Sequence, residues 1–133
     1  MKLKLEIINL DGIYFQGDVD LLCVMTSAGE LTILANHIPL ITNIEISRLY
    51  YKNDGKIENF AISGGTLFVS ESKCKVITMA IEKQDQIDLE RANKSKERAL
   101  ERLAKKDENI DIKRAEVALK RALNRIKISK LWF

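Results

Sequence analysis

Four arginines and an aspartate in the last third of the chain have the types and spacing to hold a polyphosphate. Arg91 stands three residues after Asp88, Arg98 stands seven after Arg91, and Arg121 and Arg125 are four apart. On a helix, seven residues are two turns, or about 10 Å. A guanidinium does not deprotonate in a protein, so several gathered on one surface repel unless counter-charge arrives. Phosphate oxygens match the planar fork of N–H donors and supply that charge. The competing use of the same side chains is pairing with Glu90, Glu97, Glu101 and Glu116 at helical spacing.

These residues must be positioned by a repeat. Ile87-Asp88-Leu89-Glu90-Arg91-Ala92 is echoed by Ile110-Asp111-Ile112-Lys113-Arg114-Ala115, and Arg98-Ala99-Leu100-Glu101-Arg102-Leu103 by Arg121-Ala122-Leu123-Asn124-Arg125-Ile126, at an offset of 23 residues with eight of 17 positions identical. Self-similarity at a fixed period signals one supersecondary unit used twice. Asp88 and Asp111 are N-cap residues for helices running to about Lys105 and Lys130, joined by the polar link Lys106-Asp107-Glu108-Asn109. Ile112, Ala115, Leu119, Ala122 and Ile126 draw one apolar stripe on the second helix. Leu89, Ala92, Ala99, Leu100 and Leu103 draw a weaker one on the first. Folding the hairpin near residue 107 sets residues whose numbers sum to about 214 opposite one another, which places Arg91 between Arg121 and Arg125. Alanines allow close approach but contribute little burial, so the hairpin is marginal on its own.

The chain before this hairpin has a different character. Residues 1–86 carry 8 Lys/Arg and 11 Asp/Glu, a balance of −3, whereas residues 87–133 carry 14 and 8, a balance of +6, which sum to the net +3. A basic helical segment favours an acidic partner: nucleic acid, a phosphorylated ligand or an acidic protein surface. Leu3, Leu5 and Ile7 alternate with charged residues as in a half-buried strand. Val19 to Thr26 reads as a central strand, Leu31 to Leu34 as the next, and Ala35-Asn36-His37-Ile38-Pro39 as a loop. Ile44 to Tyr51 and Ile57 to Ile62 flank Asn53-Asp54-Gly55, a tight-hairpin signal. Thr66 to Ser70 and Cys74 to Ala80 follow. Short strands with regular turn signals indicate a β-sandwich or barrel. The fold class is therefore α+β: an N-terminal antiparallel β-sandwich over residues 1–84, then a C-terminal antiparallel two-helix hairpin over 85–133.

Catalytic and metal chemistry find little support. His37 is the only histidine, and Cys23 and Cys74 are 51 residues apart without a CxxC spacing, which reads as two buried, inert thiols. Ser63-Gly64-Gly65 lacks the context of a phosphate loop and reads as a strand turn or bulge. No run has the length and apolarity of a membrane span and the first residues lead straight into a strand, so a cytosolic protein is expected. Leu131-Trp132-Phe133 is an apolar tail expected to pack on the sandwich or on a partner.

Taken in order, Ser27-Ala28-Gly29-Glu30-Leu31-Thr32-Ile33-Leu34, Asn36-His37-Ile38-Pro39-Leu40, Ser63-Gly64-Gly65 and the alanine-rich hairpin resemble the epsilon subunit of F-type ATP synthase over essentially the whole chain. The resemblance implies a non-catalytic subunit of the rotating central stalk. Its partners would be the gamma subunit, the ring of c subunits and the catalytic alpha and beta subunits, at the cytoplasmic face of the cell membrane without insertion. The hairpin would lie folded on the sandwich or extend along gamma and inhibit ATP hydrolysis.

Ile87-Asp88-Leu89-Glu90-Arg91-Ala92 is also similar to the I/L-D-x-x-R-A motif by which some bacterial epsilon subunits bind ATP without hydrolysing it. The resemblance implies an ATP site at Glu82, Ile87, Asp88, Arg91, Ala92, Arg98, Arg121 and Arg125, with ATP as a regulatory ligand and no metal required by the motif. It implies a partner-contact loop at Gly29, Glu30, Leu31, His37, Ile38 and Pro39. In that loop Thr32, Ala35 and Asn36 stand where the family has glycine, proline and glycine. Apart from the family, a basic hairpin on an acidic sandwich also suits a nucleic-acid-binding module, with affinity falling steeply as salt rises. Against this, no aromatic residue lies within the repeat to stack on bases.

Overall fold

A computed structural model describes residues 1–105 and 111–131, and the chain divides into two compact units, Met1–Lys83 and Gln84–Phe133. The first unit is built of eight strands: β1 (Leu3–Asn9), β2 (Gly12–Val19), β3 (Leu21–Thr26), β4 (Gly29–Leu34), β5 (Leu40–Asn53), β6 (Lys56–Ser70), β7 (Lys73–Ile77) and β8 (Ile81–Lys83). The strand order is β2-β1-β7-β6-β5-β3-β4, with β8 also paired to β6. All pairings are antiparallel except β1 with β7, which run parallel, so the sandwich is mixed.

Period-two burial drives this unit together. Leu3, Leu5 and Ile7 of β1 are fully buried or nearly so, as are Leu22 and Val24 of β3, Leu67 and Val69 of β6 and Cys74 and Val76 of β7. Side chains alternate across a strand, so each run places one face in a common core and turns its polar residues out. Phe15, Tyr51 and Phe60 stack at centroid distances of 4.8 and 5.6 Å along one side of that core.

The two long strands belong to both layers. β6 pairs with β8 through Phe60–Ile62 and with β7 through Thr66–Ser70, while β5 accompanies it along its whole length. The switch falls at Ser63-Gly64-Gly65, where Gly64 has φ +82° and Gly65 φ +153°. The expected turn or bulge is thus a bend inside one strand. The β5–β6 register is unchanged across it: Ile44 pairs with Gly65 and Ile46 with Ser63. Buried Thr78 ties down the bend, its hydroxyl donating to the Gly64 carbonyl at 2.6 Å. The β5–β6 loop is the two residues Asp54 (φ 52°) and Gly55 (φ 81°), the left-handed pair that Asp-Gly favours.

Val19 to Thr26 is not one strand. The chain leaves β2 at Val19 and enters β3 at Leu21, and Asp20 makes the corner. Its carboxylate pairs with Lys2 Nζ at 2.6 Å and accepts the Asp54 N–H at 2.9 Å. Lys2 also donates to Asn53 at 2.5 Å and to Asp54 at 3.0 Å. The bond to Asp20 raises the Lys2 pKa, and the bond from Lys2 lowers that of Asp20.

The second unit begins with a 3-10 turn, Gln84–Gln86, followed by α1 (Leu89–Ala104) and α2 (Ile112–Ser129), which pack on each other as a hairpin. Gln84 Nε2 donates to the Leu131 carbonyl at 2.8 Å and holds the two ends of this unit together. The link Lys106–Asn109, Ile110 of the repeat, and Trp132 and Phe133 of the tail lie outside the described residues.

Candidate anion-binding face of the hairpin

The helices begin where the two aspartates stand. Asp88 and Asp111 are both extended, at φ/ψ of −82°/100° and −76°/100°, and each precedes the first helical residue. Glu90 of α1 is ion-paired with Lys94 at 3.5 Å, an exposed i,i+4 contact of small energetic weight.

The seam between the helices is made of alanine. Ala92 is 0% exposed and Ala99, Ala115 and Ala122 are each 2% exposed. They recur every seven residues on each helix, and both 92 with 122 and 99 with 115 sum to 214, the expected antiparallel register. Larger apolar residues on the same stripes remain partly open: Leu89, Leu100 and Ile112 are exposed, and Leu103, Leu119 and Ile126 are half-buried. The closest approach is therefore between small side chains, which bury little area each.

The seam fixes where the arginines point. Arg91, Arg98 and Arg121 each stand one residue before a buried alanine. Successive residues step by about 100° around a helix. In an antiparallel pair, equal offsets from the facing residue lead to the same side of the hairpin, so these three share a face. Arg125, three residues after Ala122, lies on that face nearer the seam and is half-buried. Two arginines absent from the expected set, Arg102 and Arg114, hold equivalent positions after Ala99 and before Ala115. Their signal was in the sequence, because Arg114 is the repeat partner of Arg91 and Arg102 that of Arg125.

Among the described residues, Arg91, Arg98, Arg114 and Arg121 do not take up the competing pairing with glutamates. Among the described residues no carboxylate lies within ion-pair distance of the Arg91, Arg98, Arg114 or Arg121 guanidinium. Arg98 turns back onto its own helix, its Nε 3.4 Å from the Lys94 carbonyl and a terminal nitrogen 3.4 Å from Ser95 Oγ. Ile87 is half-buried and donates its N–H to the Gln84 carbonyl at 3.4 Å. Glu82 belongs to the sandwich unit, where it is half-buried in β8 opposite Ala61 of β6.

The loop flagged for partner contact is also well defined. Gly29 opens β4 at φ +119°, and Glu30 accepts a hydrogen bond from the Cys23 thiol at 2.7 Å. Burial and then this carboxylate raise the Cys23 pKa. Leu31 packs on the core, His37 Nδ1 is 2.7 Å from the Ile38 carbonyl, and Pro39 is exposed. Ile38 is 75% exposed, and Leu34 and Ile41, not singled out in the sequence, add apolar surface at 53% and 70% exposure. Asn36 takes φ 64°, a left-handed backbone that glycine adopts without strain. Its N–H donates to Ser72 Oγ at 2.9 Å, and that hydroxyl donates back to Asn36 Oδ1 at 3.0 Å.

Both cysteines are free and buried, and burial pushes the Cys74 thiol up to about 12. Among the described residues no three of His, Cys, Asp or Glu converge as metal ligands, and no helix is long and apolar enough to cross a membrane.

Comparison with known proteins accounts for both units. Residues 2–84 match the family model described as the ATP synthase delta/epsilon chain, β-sandwich domain, and residues 85–130 match the corresponding long α-helix domain. The ATP synthase epsilon chain of Carboxydothermus hydrogenoformans is 44% identical over 102 residues, covering 77% of this chain and 76% of that one. That of Shouchella clausii is 41% identical over 101 residues, covering 76% of each. Among solved structures, a chain of the Euglena gracilis mitochondrial ATP synthase OSCP/F1/c-ring assembly superposes with a TM-score of 0.81 at 25% identity, covering 92% of this chain and 78% of that one. A chain of the Tetrahymena thermophila mitochondrial ATP synthase central stalk and c-ring shares the fold, with a TM-score of 0.62 at 12% identity over 97% and 94% of the two chains.

Proposed function

This chain belongs to the delta/epsilon-chain family of ATP synthases, and we propose that it serves as the epsilon subunit of the central stalk. In that role it is a non-catalytic rotor element, peripheral at the cytoplasmic face of the membrane. The exposed apolar loop around Ile38 and the sandwich meet the gamma subunit and the c ring, and the hairpin regulates ATP hydrolysis at the alpha and beta subunits.

The observation that carries the regulatory reading is the alanine seam beside Arg91, Arg98 and Arg121, none of which has a carboxylate within ion-pair distance among the described residues. Folded, the hairpin gathers Arg91, Arg98, Arg121 and Arg125, and ATP supplies negative charge to them, with Asp88 supporting the site. Extended, it offers its basic surface to acidic surfaces of the catalytic hexamer and inhibits. A seam of alanines is weak enough for both states to be populated. ATP biases the equilibrium only through its preference for the folded state, about 1.4 kcal/mol for each tenfold in that preference. High ATP therefore relieves inhibition.

Titrating ATP into the isolated protein by calorimetry, and then into Arg91→Ala and Arg121→Ala, tests the site. Binding by the intact chain and weakened binding by both variants are expected. No heat from the intact chain, or unchanged binding by the variants, removes ATP from the mechanism. Co-purification with gamma and the c ring tests the assembly separately.

A further inference from the structure

The internal repeat duplicates the arginine constellation as well as the helix. Adding 23 to the α1 members Asp88, Arg91, Ala92 and Arg98 gives Asp111, Arg114, Ala115 and Arg121. Subtracting 23 from the α2 members Arg121 and Arg125 gives Arg98 and Arg102. Every residue is unchanged in type. The local geometry is reproduced too: the Asp88 and Asp111 carboxylates accept the Arg91 and Arg114 N–H groups at the same 3.1 Å. The hairpin therefore has an approximate two-fold relation that exchanges its helices. It places a second set, Arg98, Arg102, Arg114 and Arg121, about 10 Å further along the same face.

We infer that this face is a continuous phosphate track, and that it takes a linear polyphosphate long enough to reach from the Arg91/Arg121 pair to the Arg98/Arg114 pair and Arg102. Arg98 and Arg121 belong to both sets, which favours one long anion over two separate ones. Glu90 stands two residues before Ala92, on the back of α1, Glu97 and Glu101 line a surface recess with Lys94 and Arg98 at the outer edge of the arginine face, and Glu116 stands one residue after Ala115, on the opposite side of the seam. The proposal shares the arginine face with the nucleotide reading, but its added members, Arg102 and Arg114, lie outside the ATP set.

The full-length protein is titrated with long-chain sodium polyphosphate, tripolyphosphate and ATP. Three variants accompany it: Arg102→Ala with Arg114→Ala, Arg91→Ala with Arg125→Ala, and Lys113→Ala with Lys120→Ala as an equal charge loss two residues before the buried alanines. Removing Arg102 and Arg114 is expected to weaken long-chain polyphosphate by at least roughly tenfold, since each guanidinium contributes charge-assisted hydrogen bonds. ATP binding is expected to survive that change. The lysine pair is expected to leave polyphosphate affinity within about twofold. Where the alanine variant loses helical ellipticity, Arg102→Lys with Arg114→Lys carries the test and is expected to retain part of the affinity. No polyphosphate binding by the unaltered chain, no loss on removing Arg102 and Arg114, or an equal loss from the lysine pair overturns the track. Failure of ATP to bind while long-chain binding still depends on Arg102 and Arg114 overturns the nucleotide reading and leaves the track standing.

Discussion

Asp88 and Asp111, 23 residues apart, cap their helices with one geometry: each Oδ1 accepts the N–H of the arginine three residues on, at 3.1 Å. Four N–H groups at a helix start have no partner within the helix, and the cap satisfies one of them. Asp88→Ala and Asp111→Ala are each expected to lower hairpin stability by about 1 kcal/mol, whereas Asn at either position costs little. The measurement is far-ultraviolet ellipticity on heating. Equal melting of the Ala and Asn variants would show that the caps do not matter.

Gly65 allows the bend of β6 against β7. A β-carbon there would stand 2.1 Å from the Ile77 carbonyl oxygen, with the backbone already at φ +153°. Both the clash and the conformation oppose any side chain, so Gly65→Ala is expected to cost about 2–5 kcal/mol. Gly12, at φ +114° with open space around it, is the comparison: alanine there meets only the backbone preference. Urea denaturation of the two variants checks the order. A Gly65→Ala protein as stable as Gly12→Ala would mean that β6 and β7 separate at no cost.

What the sequence made legible was local. Both caps, both helices and the Asp54-Gly55 hairpin follow from short-range preference. The alternation at Leu3, Leu5 and Ile7 follows from period-two burial. β2 was not legible because it is an edge strand: Gly12 to Tyr14 are exposed, Phe15 is half-buried, and the alternation is too weak to mark a strand. The corner at Asp20 escaped because its partners, Lys2 and Asp54, lie 18 and 34 residues away. The bend at Gly64-Gly65 was marked by composition, but its continuity depends on the β5 ladder, a long-range pairing. In the candidate site, Asp88, Arg91, Arg98, Arg121 and Arg125 were legible from residue type and spacing, whereas ATP as their ligand, with Glu82, Ile87 and Ala92, came from a resemblance. Arg102 and Arg114 needed only the repeat, combined with knowledge that the alanines beside them are buried.

The Cys74 thiol is held protonated by burial, its pKa pushed from 9.0 up to about 12. Between those values the unfolded chain releases the proton while the folded chain keeps it. The stabilisation is thus complete below pH 9.0 and is lost progressively as pH rises toward about 12, by at most about 1.4 kcal/mol per pH unit. Cys74→Ala is expected to flatten this alkaline slope in urea denaturation while lowering stability at neutral pH through the space it leaves. An unchanged slope would assign the alkaline loss to other groups. In the native protein Cys74 is also expected to resist alkylation until the chain unfolds.

Asn36 sets the backbone of the loop that carries Ile38. At φ 64° it occupies a region that Gly and Asn tolerate and other residues enter at a cost of about 1–2 kcal/mol. It also closes a two-way hydrogen bond with Ser72, which ties the loop to the start of β7. Asn36→Gly keeps the conformation and the N–H donor but loses the Oδ1 acceptor, so a small loss of stability is expected and, under the proposed contact of this loop, unchanged binding to gamma and the c ring. Asn36→Val strains the backbone as well, because a β-branched residue is least at ease there. It is expected to weaken that binding, since Ile38 and Ile41 would no longer be held in place. Purifying the assembled stalk with each variant separates the two effects. Equal assembly by Gly and Val would show that the backbone at position 36 does not set the loop.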